Sequence, residues 1–298
     1  ASIELKEKEI KLSFFNLLCE AVYSFKHVIN DYSVIYELIS HMLESAFNKQ
    51  PDIKKKLCGI CVGVPALIDS KTKKVLASTV LPIESELNLI YEIQKSYPEI
   101  EVIIENESCL SAYAEKDYLR VNTENLVFID IETGIGSGII VNGKMYTGSF
   151  GLAGEIGHMT IDMNGPECKC GNRGCFEIMA AIPAIKQKVL YYLVAGYGGF
   201  IKDKIGTAYQ NLDLELICSA FRNNDPLIEK VMDEITHIIA IGINNIINIF
   251  NPSVVVLGGE IIKFGDKLLN LIHKKISNIA LKPGKDKIHI IFSEQGED

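Results

Sequence analysis

Along the first fifteen residues Ile3, Leu5, Ile10, Leu12 and Phe14 alternate with polar neighbours, the period-two pattern of half-buried strands. The same sheet is predicted to continue through Ala21 to Phe25. A helix is predicted to begin near Asp31 or Ser33, because Val34, Ile35, Leu38, Ile39, Met42, Leu43 and Ala46 share one face. Leu57 to Val64 is mostly apolar and reads as a buried strand ended by Pro65. Val102-Ile103-Ile104 predicts another strand, leading into Asn106-Glu107 and a helix through about Tyr118. Leu126 to Ile131 opens a second β system, with Gly134, Gly136 and Gly138 at its first turn and Asn142-Gly143 as a hairpin. Asp225-Pro226 marks the start of a long helix, aspartate capping and proline in the first helical position. Its apolar residues run almost all round, which predicts a central, buried helix. Asn251-Pro252 stops it, and Ser253 to Leu257 is a buried strand ending at Gly258-Gly259. Strand-to-helix alternation of this kind predicts an α/β fold.

With 298 residues, 48% of them hydrophobic, the chain can bury one large or two moderate cores. Its richest apolar stretch, Ile238 to Phe250, is broken by Asn244, Asn245 and Asn248 and cannot span a bilayer. No secretory pattern of basic start, apolar run and small-residue cleavage site is present. A net charge of −8 argues against these residues gripping nucleic acid by themselves. Cys19, Cys58, Cys61, Cys109 and Cys218 lie in apolar surroundings and read as reduced core residues. Reduced thiols point to the cytoplasm.

The other three cysteines fall in one glycine-punctuated loop, Cys168-Lys169-Cys170-Gly171-Asn172-Arg173-Gly174-Cys175, with His158 just upstream. Three cysteines and a histidine are one of the recurring closed tetrahedral sets for zinc. A closed set leaves no position for water, so such a metal would hold the loop in shape without doing chemistry. The alternative is three unrelated buried thiols.

Glu155-Ile-Gly-His158 followed by Cys-x-Cys-Gly-x-x-Gly-Cys-x-Glu resembles the signature of the ROK family of repressors, unassigned reading frames and sugar kinases, and the resemblance extends along nearly the whole chain. It implies an actin-like ATPase/hexokinase-type fold: two ribonuclease H-like α/β lobes of mixed sheets flanked by helices, around a cleft. The smaller lobe would be residues 1–118 and the larger, carrying the zinc loop, 119–298. The resemblance also implies a structural Zn²⁺ on His158, Cys168, Cys170 and Cys175, and a sugar contacted by Asn106, Glu107, Glu155, His158 and Glu177. His158 would bridge, one ring nitrogen on zinc and the other donating to a sugar hydroxyl. Taken without the resemblance, Asn106 and Glu107 could simply cap the following helix, Glu155 and Glu177 could be solvated carboxylates, and His158 a core histidine.

Kinase members of that family hold ATP phosphates on glycine-rich turns. The first such turn, Asp-x-Gly-Gly-Thr in the family, is Glu4-Leu5-Lys6-Glu7-Lys8 here, so both glycines and the threonine are lost. The second is better kept, as Thr133-Gly134-Ile135-Gly136-Ser137-Gly138. The third, Gly258-Gly259-Glu260, adds a carboxylate. The catalytic aspartate becomes Glu107, one methylene longer, which displaces the base by about an ångström. In the sugar pocket Val64-Pro65-Ala66 replaces Val-Pro-Gly, and Val80 replaces an asparagine before Leu81-Pro82. These departures imply no catalytic residue and no bound nucleotide, with Gly134, Gly136 and Gly138 as a residual phosphate turn. The chain then reads as the effector-sensing, oligomerising core of a transcriptional repressor of carbohydrate genes. A sugar or sugar derivative would change the lobe angle, operator DNA would be bound through a winged helix-turn-helix domain upstream of Ala1, and the assembly would be a homodimer or homotetramer. A further helix would follow the final strand, which ends just before Glu297-Asp298. The alternative is an ATP-dependent sugar kinase with a divergent phosphate motif.

Overall fold

The structure, a computed structural model, describes residues 1–69, 71–78, 80–83, 87–119, 123–281 and 287–294. Glu297 and Asp298 lie outside them. The chain divides into two compact units, Ala1–Leu110 with Thr147–Ala153, and Ser111–Tyr146 with Gly154–Asp298.

The first unit runs β1 (Ser2–Lys6), β2 (Glu9–Phe15), β3 (Ala21–Val28), α1 (Ile35–Lys49), α2 (Pro51–Lys56) and β4 (Gly59–Val64). A small ribbon of β5 (Leu67–Ile68) and β6 (Val75–Ala77) follows, then α3 (Leu89–Ser96) and β7 (Glu101–Asn106), which runs straight into α4 (Glu107–Leu119). The sheet order is β3-β2-β1-β4-β7, with β1, β2 and β3 antiparallel and β1, β4 and β7 parallel. The alternating residues Ile3, Leu5, Ile10, Leu12 and Phe14 are all buried, in one core with Ile35, Ile39, Met42 and Leu43 of α1. Asp31 does not start the helix directly. It caps a single 3₁₀ turn, accepting from Ser33 N at 2.8 Å, and α1 begins at Ile35. The division between the units falls within α4.

The second unit comprises β8 (Leu126–Ile131), β9 (Ile135–Val141), β10 (Lys144–Met145), α5 (Phe176–Ala180), α6 (Ile182–Val194), α7 (Phe200–Ile205), α8 (Leu214–Arg222), α9 (Pro226–Phe250), β11 (Val254–Gly258), α10 (Asp266–Ile279) and β12 (His289–Phe292). Its sheet order is β10-β9-β8-β11-β12, again an antiparallel meander whose first strand is extended by two parallel neighbours. The duplication is therefore written in topology, although the two halves share no visible residue pattern.

Three expectations need correction. Gly136 and Gly138 lie in β9, opposite Asp130 and Phe128, and only Gly134 is in the turn. Antiparallel pairing persists to Ile131 opposite Ile135, leaving residues 132–134 to reverse the chain. Cys19 and Cys58 are exposed, because each sits in a connection between elements; Cys109 and Cys218 are buried and Cys61 partly so. Helix α9 is amphipathic over its first half: Leu227, Ile228, Val231, Met232 and Ile235 are buried, while Lys230, Asp233 and His237 face outward. Its start is fixed as its sequence predicts. The buried Asp225 carboxylate accepts from Leu227 N at 2.9 Å and Ile228 N at 3.1 Å, satisfying amide groups that have no partner inside the helix. Among the described residues no helix is long and apolar enough to cross a membrane.

Candidate functional site

The loop between β10 and α5 is held by its own backbone. Cys168 N donates to Asn172 O at 2.8 Å, Gly171 N to Cys168 O at 3.0 Å, and Gly174 N to Pro166 O at 2.8 Å. Gly174 has φ +60° and a Cβ there would collide with Asp162 O, so only glycine closes this turn. These bonds bring His158, Cys168, Cys170 and Cys175 together, with one ligand atom from each lying within 4.8 Å of all the others. His158 Nδ1 is 3.8 Å from Cys168 Sγ, and Cys170 Sγ is 3.6 Å from Cys175 Sγ. The four residues predicted as a metal set do converge, and the cluster could bind a metal. Its chemistry fits a divalent cation. Burial and the neighbouring sulfurs of Cys170 and Cys168 push the Cys175 thiol up to about 12. The exposed Cys170 is shifted the other way by the Asn172 N–H.

The same loop places two carboxylates. Glu155 precedes the 3₁₀ turn Ile156–His158, and its carbonyl accepts from His158 N at 3.1 Å. Its side chain reaches solvent, yet desolvation of the carboxyl raises it above the usual range; His158 opposes that shift and Glu177 reinforces it. Glu177, in the first turn of α5, is not merely solvated: its Oε2 accepts from Ile135 N at 2.9 Å. Glu155, His158, Glu177 and the Thr133-Gly134-Ile135 turn thus form one neighbourhood. Two of its supports escaped the sequence reading. Gly157 is bare because the Ile135 carbonyl lies where its Cβ would be. Phe176, fully buried between Cys175 and Glu177, lies against Gly242 of α9, where a Cβ would come within 2.7 Å of the ring. A glycine inside a long apolar helix is the signal that marks such an approach.

In the first unit Asn106 caps α4. Its Oδ1 accepts from Ser108 N at 2.9 Å, while Nδ2 donates to Ala66 O at 3.1 Å. Glu107 is the first residue of α4. Ser78 ties together the segments that carry Ala66 and Val80: its Oγ donates to Pro65 O at 2.6 Å and accepts from Val80 N at 3.1 Å.

The protein's own side chains line the three predicted phosphate turns. At the first, Lys6, Glu7 and Lys8 are exposed between β1 and β2; Tyr32 Oη donates to Lys6 O at 2.5 Å and Ile29 N to Lys8 O at 3.0 Å. Burial, with Glu7 adding to it, pushes the Tyr32 phenol up to about 12, so it stays a donor. At the second, Ile135 N is taken by Glu177. At the third, Gly259 has φ +78° and is walled by Asp130 and Glu132, with Glu260 following, paired to Lys263 at 3.1 Å.

The model of the ROK family matches residues 2–298. The chain belongs to the ROK family. It is 32% identical over 270 residues to the xylose repressor of Bacillus subtilis (strain 168), covering 90% of this chain and 65% of that protein. It is 29% identical over 241 residues to the DNA-binding transcriptional dual regulator NagC of Escherichia coli (strain K12), covering 80% of this chain and 57% of the other. The chain therefore spans less than two thirds of the length of either. Among solved structures, a ROK family transcriptional regulator described as a homologue of the Escherichia coli MLC protein matches with a TM-score of 0.89 and 26% identity, over 100% of this chain and 74% of that one. A ROK family glucokinase from Streptomyces griseus, solved with glucose and AMPPNP, matches with a TM-score of 0.81 at 19% identity, over 99% and 94%. The fold is that of the actin-like ATPases and hexokinases.

Proposed function

We propose that this ROK chain is the sugar-sensing and oligomerising core of a transcriptional repressor of carbohydrate genes, and that it transfers no phosphate. The observation that carries this reading is the β1–β2 turn. Where polyphosphate needs bare backbone amides, the chain presents the side chains of Lys6, Glu7 and Lys8 and no glycine. The names of the relatives, a xylose repressor and NagC, support the regulatory side. The effector is a sugar or sugar derivative, for which Glu155, His158 and Glu177 are the contacts in the second unit. A structural Zn²⁺ on His158, Cys168, Cys170 and Cys175 fixes the histidine ring through Nδ1 and leaves its other nitrogen to donate to a hydroxyl. Operator DNA is bound through a segment outside these residues, by a cytoplasmic homodimer or homotetramer, which suits two half-sites.

Titration calorimetry with MgATP and a coupled phosphorylation assay over a hexose panel test this directly. No nucleotide heat and no turnover are expected, alongside a thermal shift with at least one sugar. Tight MgATP binding with turnover would establish the second reading, a sugar kinase, which the retained Thr133-Gly134 turn favours.

A further inference from the structure

Four ligand atoms converge in the Cys/His loop, but solvent does not reach them equally. Cys168 is 7% and Cys175 0% exposed, whereas Cys170 is open to solvent. Local structure explains the difference. A β-bridge between Glu167 and Arg173 makes the loop a short ribbon, closed on its outer side by Arg173 Nη1 donating to Glu167 at 2.5 Å. Cys168 N donates to Asn172 O and Gly171 N to Cys168 O, so Cys170 sits at the tip of that ribbon. The next residue, Gly171, has φ +90°, and no described atom lies within 4 Å of where its Cβ would be. The approach to the tip is therefore open. Cys175 sits at the foot instead, where Thr160 pairs with it across a β-bridge and Phe176 N beside it donates to Met159 O at 2.8 Å.

A reachable sulfur thus faces a protected one. Cys170 Sγ lies 3.6 Å from Cys175 Sγ, and a disulfide needs about 2 Å, a gap that the tip can close while the foot stays fixed. Peroxides oxidise exposed cysteine sulfurs, and a second cysteine close by converts the product into a disulfide. Cys19 and Cys58 are exposed too, but among the described residues neither is hydrogen-bonded to a second sulfur.

We propose that Cys170 is a site of reversible oxidation by hydroperoxides, that Cys175 resolves it, and that the resulting bridge expels the metal. The Cys170 sulfur attacks one peroxide oxygen, the O–O bond breaks, and the departing oxygen leaves protonated while Cys170 becomes a sulfenic acid. The Cys175 sulfur then attacks that of Cys170, the S–O bond breaks, and the hydroxyl leaves with a proton as water. Each sulfur has given up one electron and the peroxide has taken both. The protons come from the thiols, or from solvent where the sulfurs are bound to metal. With two ligands consumed, His158 and Cys168 alone cannot make a closed tetrahedral set. His158 then loses the contact that fixes its ring, which ties oxidation to the sugar contact. That tie rests on the zinc and sugar reading above; the sulfur chemistry does not.

The test treats the zinc-loaded protein, carrying Cys19→Ser and Cys58→Ser so that no other exposed cysteine competes, with hydrogen peroxide. Released zinc is read with a chelating dye, the sulfur pairing by peptide mapping, and the His158 ring by nitrogen NMR. Stoichiometric zinc release, a bridge between Cys170 and Cys175, and movement of the His158 Nδ1 signal are expected together. Dithiothreitol with zinc should reverse all three. Zinc retained with Cys170 unmodified overturns the proposal. A bridge from Cys168 to Cys170 that leaves Cys175 free, or oxidation that dithiothreitol does not reverse, also overturns it. A protein that takes up no zinc yet forms the bridge between Cys170 and Cys175 would keep the modification site and remove the metal reading.

Discussion

The β1–β2 turn of the first unit and the β8–β9 turn of the second hold the same place in two sheets of the same order. They are stabilised in opposite ways. The first has its carbonyls at Lys6 and Lys8 capped by donors, Tyr32 Oη and Ile29 N. The second keeps Gly134 and has an amide, Ile135 N, capped by the Glu177 carboxylate. One turn has lost the amide-rich glycines that approach a phosphate; the other retains its glycine but points its neighbouring amide at an acid. The same hairpin is thus built twice with different groups closing its turn.

The sharpest way to break the comparison is through the Cys/His loop, because it carries Glu177 to the second turn and has no counterpart at the first. Cys170→Ser should abolish stoichiometric metal, read by elemental analysis, and give the largest fall in Tm. Cys170 is exposed, so little packing changes with it, whereas structural zinc is worth roughly 10–16 kcal/mol in isolated fingers. Unchanged metal content would sink the metal assignment. Next, Glu177→Ala leaves Ile135 N without its acceptor, a loss of about 1–3 kcal/mol, and should remove the sugar-induced thermal shift. Tyr32→Phe, at the first turn, should cost only about 0.5–1.5 kcal/mol and leave sugar binding intact; an effect on the sugar would show that the two turns are not independent.

The smallest effect separates both turns from the rest of the second unit. Burial raises the Glu115 carboxyl above its ordinary value; Ser293 donates to it and opposes the shift, and Glu294 adds to it. A group protonated more readily when folded contributes stability that is full below the unfolded value of about 4.5 and declines as pH rises through the folded one. Denaturation measured across that window should show the decline, and Glu115→Gln should flatten it without changing sugar affinity.

Much of the frame was legible because it rests on local rules. Alternation marked β1 and β2, Asp225-Pro226 marked the start of α9, and the cysteine spacing marked the Cys/His cluster. What escaped needed partners distant in sequence. Gly136 and Gly138 looked like turn glycines because composition does not reveal how far the pairing of β8 with β9 persists. Cys19 and Cys58 looked like core residues because their neighbours are apolar, yet both sit in connections. The clamp of Tyr32 on Lys6 and the bond from Ile135 to Glu177 join residues 26 and 42 positions apart.

Phe176 against Gly242 carries a consequence for the family tree as well as for the fold. With no side chain between ring and helix backbone, the two positions are coupled in size. A descendant that gains a methyl group at 242 must trim the ring at 176 or lose its grip on the neighbouring Cys175 and Glu177, so the pair should drift together or stay still.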